Sequence, residues 1–80
     1  MNISLERSKF IAVVDGDEIA KDSDMETFAK DLALNYPQEV EAMIFNQEGT
    51  MDLSPGDTEL LIEVLREAHV KENFSAEYLN

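Results

Sequence analysis

The sequence contains no cysteine, which excludes a disulfide framework, a thiolate zinc site and a thiol nucleophile. Basic residues are few. Six Lys and Arg stand against eighteen Asp and Glu, giving a formal net charge of −12 and a pI near 4.1. Such a surface repels nucleic acid and anionic lipid, so neither is expected as a direct ligand. The three glycines are scattered, and none forms the Gly-rich loop before a helix that cradles phosphate. No apolar run approaches the roughly 18 residues of a membrane span. The N-terminus lacks a signal-peptide h-region, and a cytoplasmic location is the expectation.

What is present is a folding chain. Its 80 residues suit one domain, and 44% of them are aliphatic, aromatic or sulfur-bearing, enough for a packed core. A chain this short buries only about 60–65% of its unfolded surface, and twelve uncompensated negative charges reduce its margin further. Solubility alone needs a net charge of about 2–8 in a small domain. The excess is a reason to ask what the acids do.

Residues 1–8 carry little pattern and read as a loose arm or an edge strand. Phe10-Ile11-Ala12-Val13-Val14 is an apolar, β-branched run typical of a strand buried on both faces. Asp15-Gly16 follows at once, and Asp-Gly between extended segments signals a two-residue type I′ hairpin turn. The returning strand, Glu18 to Lys21, has only Ile19 and Ala20 to bury and suits a sheet edge.

Ser23-x-x-Glu26 has the form of a capping box. The helix it starts is expected to reach Tyr36, before Pro37. Met25, Phe28, Ala29, Leu32 and Tyr36 form its apolar stripe, with Leu34 nearly opposite. Val40 to Asn46 reads as a third strand by alternation, Gln47-Glu48-Gly49 as a turn, and Thr50 to Leu53 as a short fourth strand. Ser54 and Pro55 are a good N-cap and first position for a last helix, with Leu60, Leu61, Val64, Leu65 and Ala68 as its buried stripe. Residues 73–80 read as a tail whose Phe74, Tyr78 and Leu79 fold back onto the core. The order implies a small single-domain α+β two-layer sandwich, β-hairpin–helix–strand–strand–helix, with a mostly antiparallel sheet and helices on one face.

Catalytic signatures are missing. The one histidine, His69, sits at the border of its helix's apolar stripe, and no Gly-x-Ser-x-Gly elbow supplies a nucleophile. Asp15-Gly16-Asp17-Glu18 and Asp22-Ser23-Asp24 crowd oxygen ligands near two turns, but EF-hand spacing fails. From Asp15 the fifth position is Ile19; from Asp22 the sixth is Thr27 and the twelfth Ala33. No metal, cofactor or catalytic group is expected. The six basic residues Arg7, Lys9, Lys21, Lys30, Arg66 and Lys71 read as scattered, each with acids nearby in sequence.

Charge geography says more. The acids are spread over turns and helices rather than confined to a tail. Carboxylates on a folded scaffold mimic phosphate spacing and steer association with basic partners. Leu34 lies opposite its helix's stripe, and Ile62 and Val70 stray from theirs; joined by Phe74 of the tail, Ile62 and Val70 would form a small apolar patch inside an acidic rim.

The stretch from Phe10 to Ala20, then a helix closing on Tyr36-Pro37 and a further apolar segment, resembles a family of short prokaryotic domains of unknown function. Those domains carry an Ala-Val-x-Asp-Gly hairpin followed by a helix and a strand, and the resemblance covers about residues 9–46. It implies the fold and brings no catalytic residues. The acidic Asp22-Ser23-Asp24 and the long final helix depart from the family's pattern.

The functional expectation is a small acidic, non-enzymatic protein-binding module. It docks on a basic surface of a partner, such as a nucleic-acid-binding protein, as an inhibitor or nucleic-acid mimic of the kind phages and mobile elements use. Asp15, Asp17, Glu18, Asp22, Asp24, Glu26, Asp31, Leu34 and Ile62 are the expected contacts. The alternative is a self-associating accessory domain, a homodimer through the edge strand or the Leu34 and Ile62 surfaces, in which the acids only confer solubility.

Overall fold

A computed structural model describes residues 1–73; the expected docking of Phe74, Tyr78 and Leu79 lies outside them. The described residues run β1 (Asn2–Glu6), β2 (Lys9–Val14), β3 (Asp17–Asp22), α1 (Met25–Asn35), α2 (Pro37–Asn46), β4 (Thr50–Asp52) and α3 (Pro55–Asn73). The sheet order is β3-β2-β1-β4. β1 pairs antiparallel with β2, β2 antiparallel with β3, and β1 parallel with β4. The helices cover one face, burying Ile3, Ala12, Phe28, Leu32, Leu61 and Leu65 between the layers. This is the expected α+β sandwich, with one change of element and one of position.

The change of position is at the N-terminus. Residues 2–6 are an interior strand rather than a loose arm or an edge. Ile3 lies opposite Ala12 on one side and Met51 on the other, and is 1% exposed. The β1–β2 turn is Arg7-Ser8, with φ of 51° and 66°. Both are left-handed without a glycine, at a cost of about 1–2 kcal/mol per residue. The β2–β3 turn has the same hand, and there Asp15 (φ 51°) and Gly16 (φ 84°) supply the expected Asp-Gly chemistry.

The change of element is Val40 to Asn46, which is helix, not strand. Pro37 occupies the first turn of α2, where its missing N–H costs nothing. Val40, Met43 and Ile44 then fall at i, i+3 and i+4 and are buried, while Phe45 is exposed. Tyr36 caps α1 by donating its N–H to the Leu32 carbonyl at 2.7 Å. Tyr36-Pro37 is therefore a corner between helices.

Two caps differ in outcome. Ser54 Oγ accepts from the Asp57 N–H at 3.2 Å, as expected for the start of α3. In α1 the cap is Asp24 instead of Ser23: its Oδ2 accepts from the Thr27 N–H at 3.0 Å and the Thr27 hydroxyl at 2.6 Å. The Ser23–Glu26 capping box does not form, because a carboxylate one residue later reaches the same orphan donors. On α3 the buried line is Leu61, Leu65 and His69. Leu60, expected inside, is 51% exposed, and Ile62, expected outside, packs against the core.

Gly49 shows why β4 can lie against β1. Its φ is +85°, and a Cβ there would collide with the Met1 carbonyl, which accepts from the Thr50 N–H at 3.1 Å. Only glycine fits that approach.

Candidate functional site

The expected contact residues fall into two groups along one edge of the molecule. Asp15, Asp17 and Glu18 form an exposed tip at the β2–β3 turn. Asp22, Asp24 and Glu26 gather at the junction of β3 and α1. β3 separates the groups by about 17 Å, five steps of strand. Asp31 lies further along α1, exposed, its Oδ1 accepting from Asn35 Nδ2 at 2.8 Å. Leu34, in the last turn of α1, is 52% exposed. Ile62 does not join them, because it faces the core.

Local bonding divides these acids. Asp22 is half-buried, and its Oδ1 accepts from the Asp24 N–H at 2.8 Å. Asp24 caps α1, and the Thr27 hydroxyl, then the Thr27 N–H, holds its carboxyl below the ordinary value of 3.8. Both therefore support the helix start as well as the surface charge. Asp15, Asp17, Glu18 and Glu26 carry no such local bond among the described residues. None of the seven acids has a cationic group within 4.0 Å among the described residues. They are uncompensated charge on a fixed frame.

Sequence reasoning placed His69 at a boundary, whereas it is fully buried. Its Nε2 lies 3.1 Å from Glu41 Oε1. Asn73 Nδ2 lies 3.1 Å from His69 Nδ1, from the His69 carbonyl and from the Ala33 carbonyl. Carbonyls only accept, so the Asn73 amide presents its N–H groups to this cluster. The Phe45 ring meets the imidazole edge-on at 6.1 Å. This cluster ties the ends of α1, α2 and α3 together. It encloses the imidazole instead of presenting it to a substrate. The signal was in the sequence, since His69 continues the i, i+4 series from Leu61 and Leu65.

The basic residues are less scattered in space than in sequence. Arg7, Lys9 and Lys21 line one open depression together with Ile11 and Glu6. Antiparallel register brings Lys21 beside Ile11, which no sequence spacing reveals.

Among the described residues no three His, Asp or Glu side chains converge to hold a metal ion, and no helix is long and apolar enough to cross a membrane. No family model matches the chain, and neither a curated protein nor a solved structure matches it.

Proposed function

We propose that the protein is a non-enzymatic binding module that docks on a basic surface of a partner protein, of the inhibitor or nucleic-acid-mimic type. The observation that carries this reading is the set of exposed acids with no cationic partner among the described residues: Asp15, Asp17 and Glu18 on the hairpin tip, with Glu26 and Asp31 on α1. A turn and a helix fix the backbone that carries these carboxylates, so binding has to order only their side chains. The supporting chemistry is electrostatic steering, which raises association rates and falls with ionic strength.

The test uses the tip and spares the caps. Asp15→Lys, Asp17→Lys and Glu18→Lys together leave Asp22 and Asp24 to support α1. Wild type and variant are used to capture partners from lysate at low and high salt, read by mass spectrometry. The expected result is a partner with a basic surface that wild type retains at low salt, high salt releases and the variant does not retain. Equal capture by wild type and variant at every salt concentration contradicts the proposal.

A self-associating accessory domain is the second reading. Leu34, Phe45 and Val70 favour it, each about half exposed on helix segments that the His69 cluster joins. The β3 edge does not. Its Ala12/Val13 register shift makes Ile19 an extra residue, and a bulge among charged side chains blunts strand pairing. Sedimentation distinguishes the readings: a concentration-dependent dimer abolished by Leu34→Asp or Phe45→Asp supports self-association.

A further inference from the structure

The molecule has a second surface of opposite character. Ile3, Ala12, Ala20 and Met51 point toward the helices, so by strand alternation their neighbours point to the open face of the sheet. Lys21, Ile11, Ser4 and Asp52 form one row across all four strands. Glu6 and Lys9 form the next, and Arg7 sits in the adjoining turn. Arg7, Lys9, Ile11 and Lys21, with Glu6, line an open depression of about 640 Å³. Ile11 is only 7% exposed although it lies outside the main core. It lies where the aliphatic stems of the lysines can cover it while their ammonium groups reach solvent.

Half of the chain's six cationic side chains are thus gathered in one place. None of the three has a carboxylate within 4.0 Å among the described residues, even Lys9, whose register partner is Glu6. In a chain with a threefold excess of acid, three neighbouring cations left unpaired form a site of the wrong sign for its surroundings.

We infer that this depression binds an extended acidic segment of another protein, laid across the open sheet face. The spacing of the cations favours that occupant. Lys9 and Lys21 are diagonal neighbours across β2 and β3, about 7–8 Å apart at the backbone. Alternate side chains of an extended segment are about 7 Å apart, so two of its carboxylates can meet the two ammonium groups. Ile11, opposite Lys21 and two residues along β2 from Lys9, gives the lysine stems apolar support. A long polyanion such as nucleic acid fits poorly, because it would run from the patch onto Asp15, Asp17 and Glu18 at the far end of the hairpin or onto Asp52 across the sheet. A single phosphate fits poorly as well, because the cations are spread over two strands and a turn instead of converging on one point.

The experiment titrates isotope-labelled protein with three probes: a peptide alternating Glu with Val, its Gln-for-Glu counterpart, and inorganic pyrophosphate. The Glu peptide is expected to shift the amide signals of Arg7, Lys9, Ile11 and Lys21. Its affinity should fall about tenfold or more in Lys9→Glu/Lys21→Glu and in high salt, with the Gln peptide similarly weak. Lys30→Glu/Arg66→Glu, on the helices, should leave binding unchanged, and so should the hairpin-tip variant, which separates this test from that of the acidic surface. Circular dichroism confirms that each variant is folded. The inference is overturned if the Glu peptide shifts none of these amides, or shifts them equally in Lys9→Glu/Lys21→Glu. Tighter binding of pyrophosphate at the same amides would make this a phosphate site instead. Concentration-dependent sedimentation lost in Lys9→Glu/Lys21→Glu would assign the patch to a second copy of the chain, which also overturns it.

Discussion

His69 Nε2 lies 3.1 Å from Glu41 Oε1, so the last helix is bonded across 28 residues of chain to a segment whose alternating pattern reads as a strand. The pair exists because Val40–Asn46 is helical. On the helix Glu41 points away from Val40 and Ile44 toward the end of α3, where Asn73 fixes the other side of the ring. The packing of three helix ends depends on this arrangement.

His69→Ala is expected to lower unfolding free energy by about 2–4 kcal/mol, because it empties a fully buried site between the helix ends. Glu41→Ala should cost about 1 kcal/mol, since Glu41 is half exposed and water can replace its oxygen. Urea denaturation measures both. A Glu41→Ala loss equal to that of His69→Ala would contradict the assignment of His69 as a packed core residue.

The α1 cap gives stability a defined acid dependence. Asp24 is held below its ordinary value of 3.8 by the Thr27 hydroxyl and N–H, so the folded state binds this proton less readily than the unfolded one. Its contribution is therefore complete above 3.8 and is lost as pH falls through the lower folded value. Asp24→Asn keeps a capping oxygen without the titration. Wild type should exceed Asp24→Asn in thermal stability at neutral pH, and the difference should shrink as acid is added. A gap that widens in acid contradicts the cap geometry.

Backbone constraints predict opposite signs at two turns. Gly49→Ala should destabilise the fold by about 2–4 kcal/mol, combining a left-handed φ with a collision against backbone that cannot yield cheaply. Ser8→Gly, at φ 66°, should stabilise it by about 0.5–1 kcal/mol by removing the left-handed penalty. Chemical denaturation decides both. A neutral Gly49→Ala would mean that β4 does not approach Met1 as described.

Much of the fold was legible where one residue type suits one geometry. Asp15-Gly16 suits a two-residue turn, Ser54-Pro55 a helix start, and Phe28 and Leu32 a core stripe. The errors came where local chemistry permits two outcomes. Arg7-Ser8 lacks the Gly or Asn that marks a tight turn, so the hairpin it closes was invisible and β1 read as an arm. Val40-x-Ala42-x-Ile44 satisfies a two-residue period, while Val40, Met43 and Ile44 satisfy a helical one. Pro37 resolves the conflict by starting a helix as readily as by ending one.

The surfaces were legible by halves. Exposed acids could be read directly, because acids stay on the surface unless paired. Their division into a tip and a cap cluster required knowing that Asp24 takes over the capping of α1 from Ser23. The cationic depression could not be read at all. It is assembled by the register of β1, β2 and β3, which brings Arg7, Lys9 and Lys21 together from separate segments.

The most direct measurement of the central claim is the association rate of the captured partner as a function of ionic strength, for wild type and for the Asp15, Asp17 and Glu18 charge reversal. Steered docking predicts a wild-type rate that falls steeply with salt, with the variant slower by about tenfold at low salt and nearly flat. Two coincident, salt-independent curves would show that the acidic tip plays no part in docking.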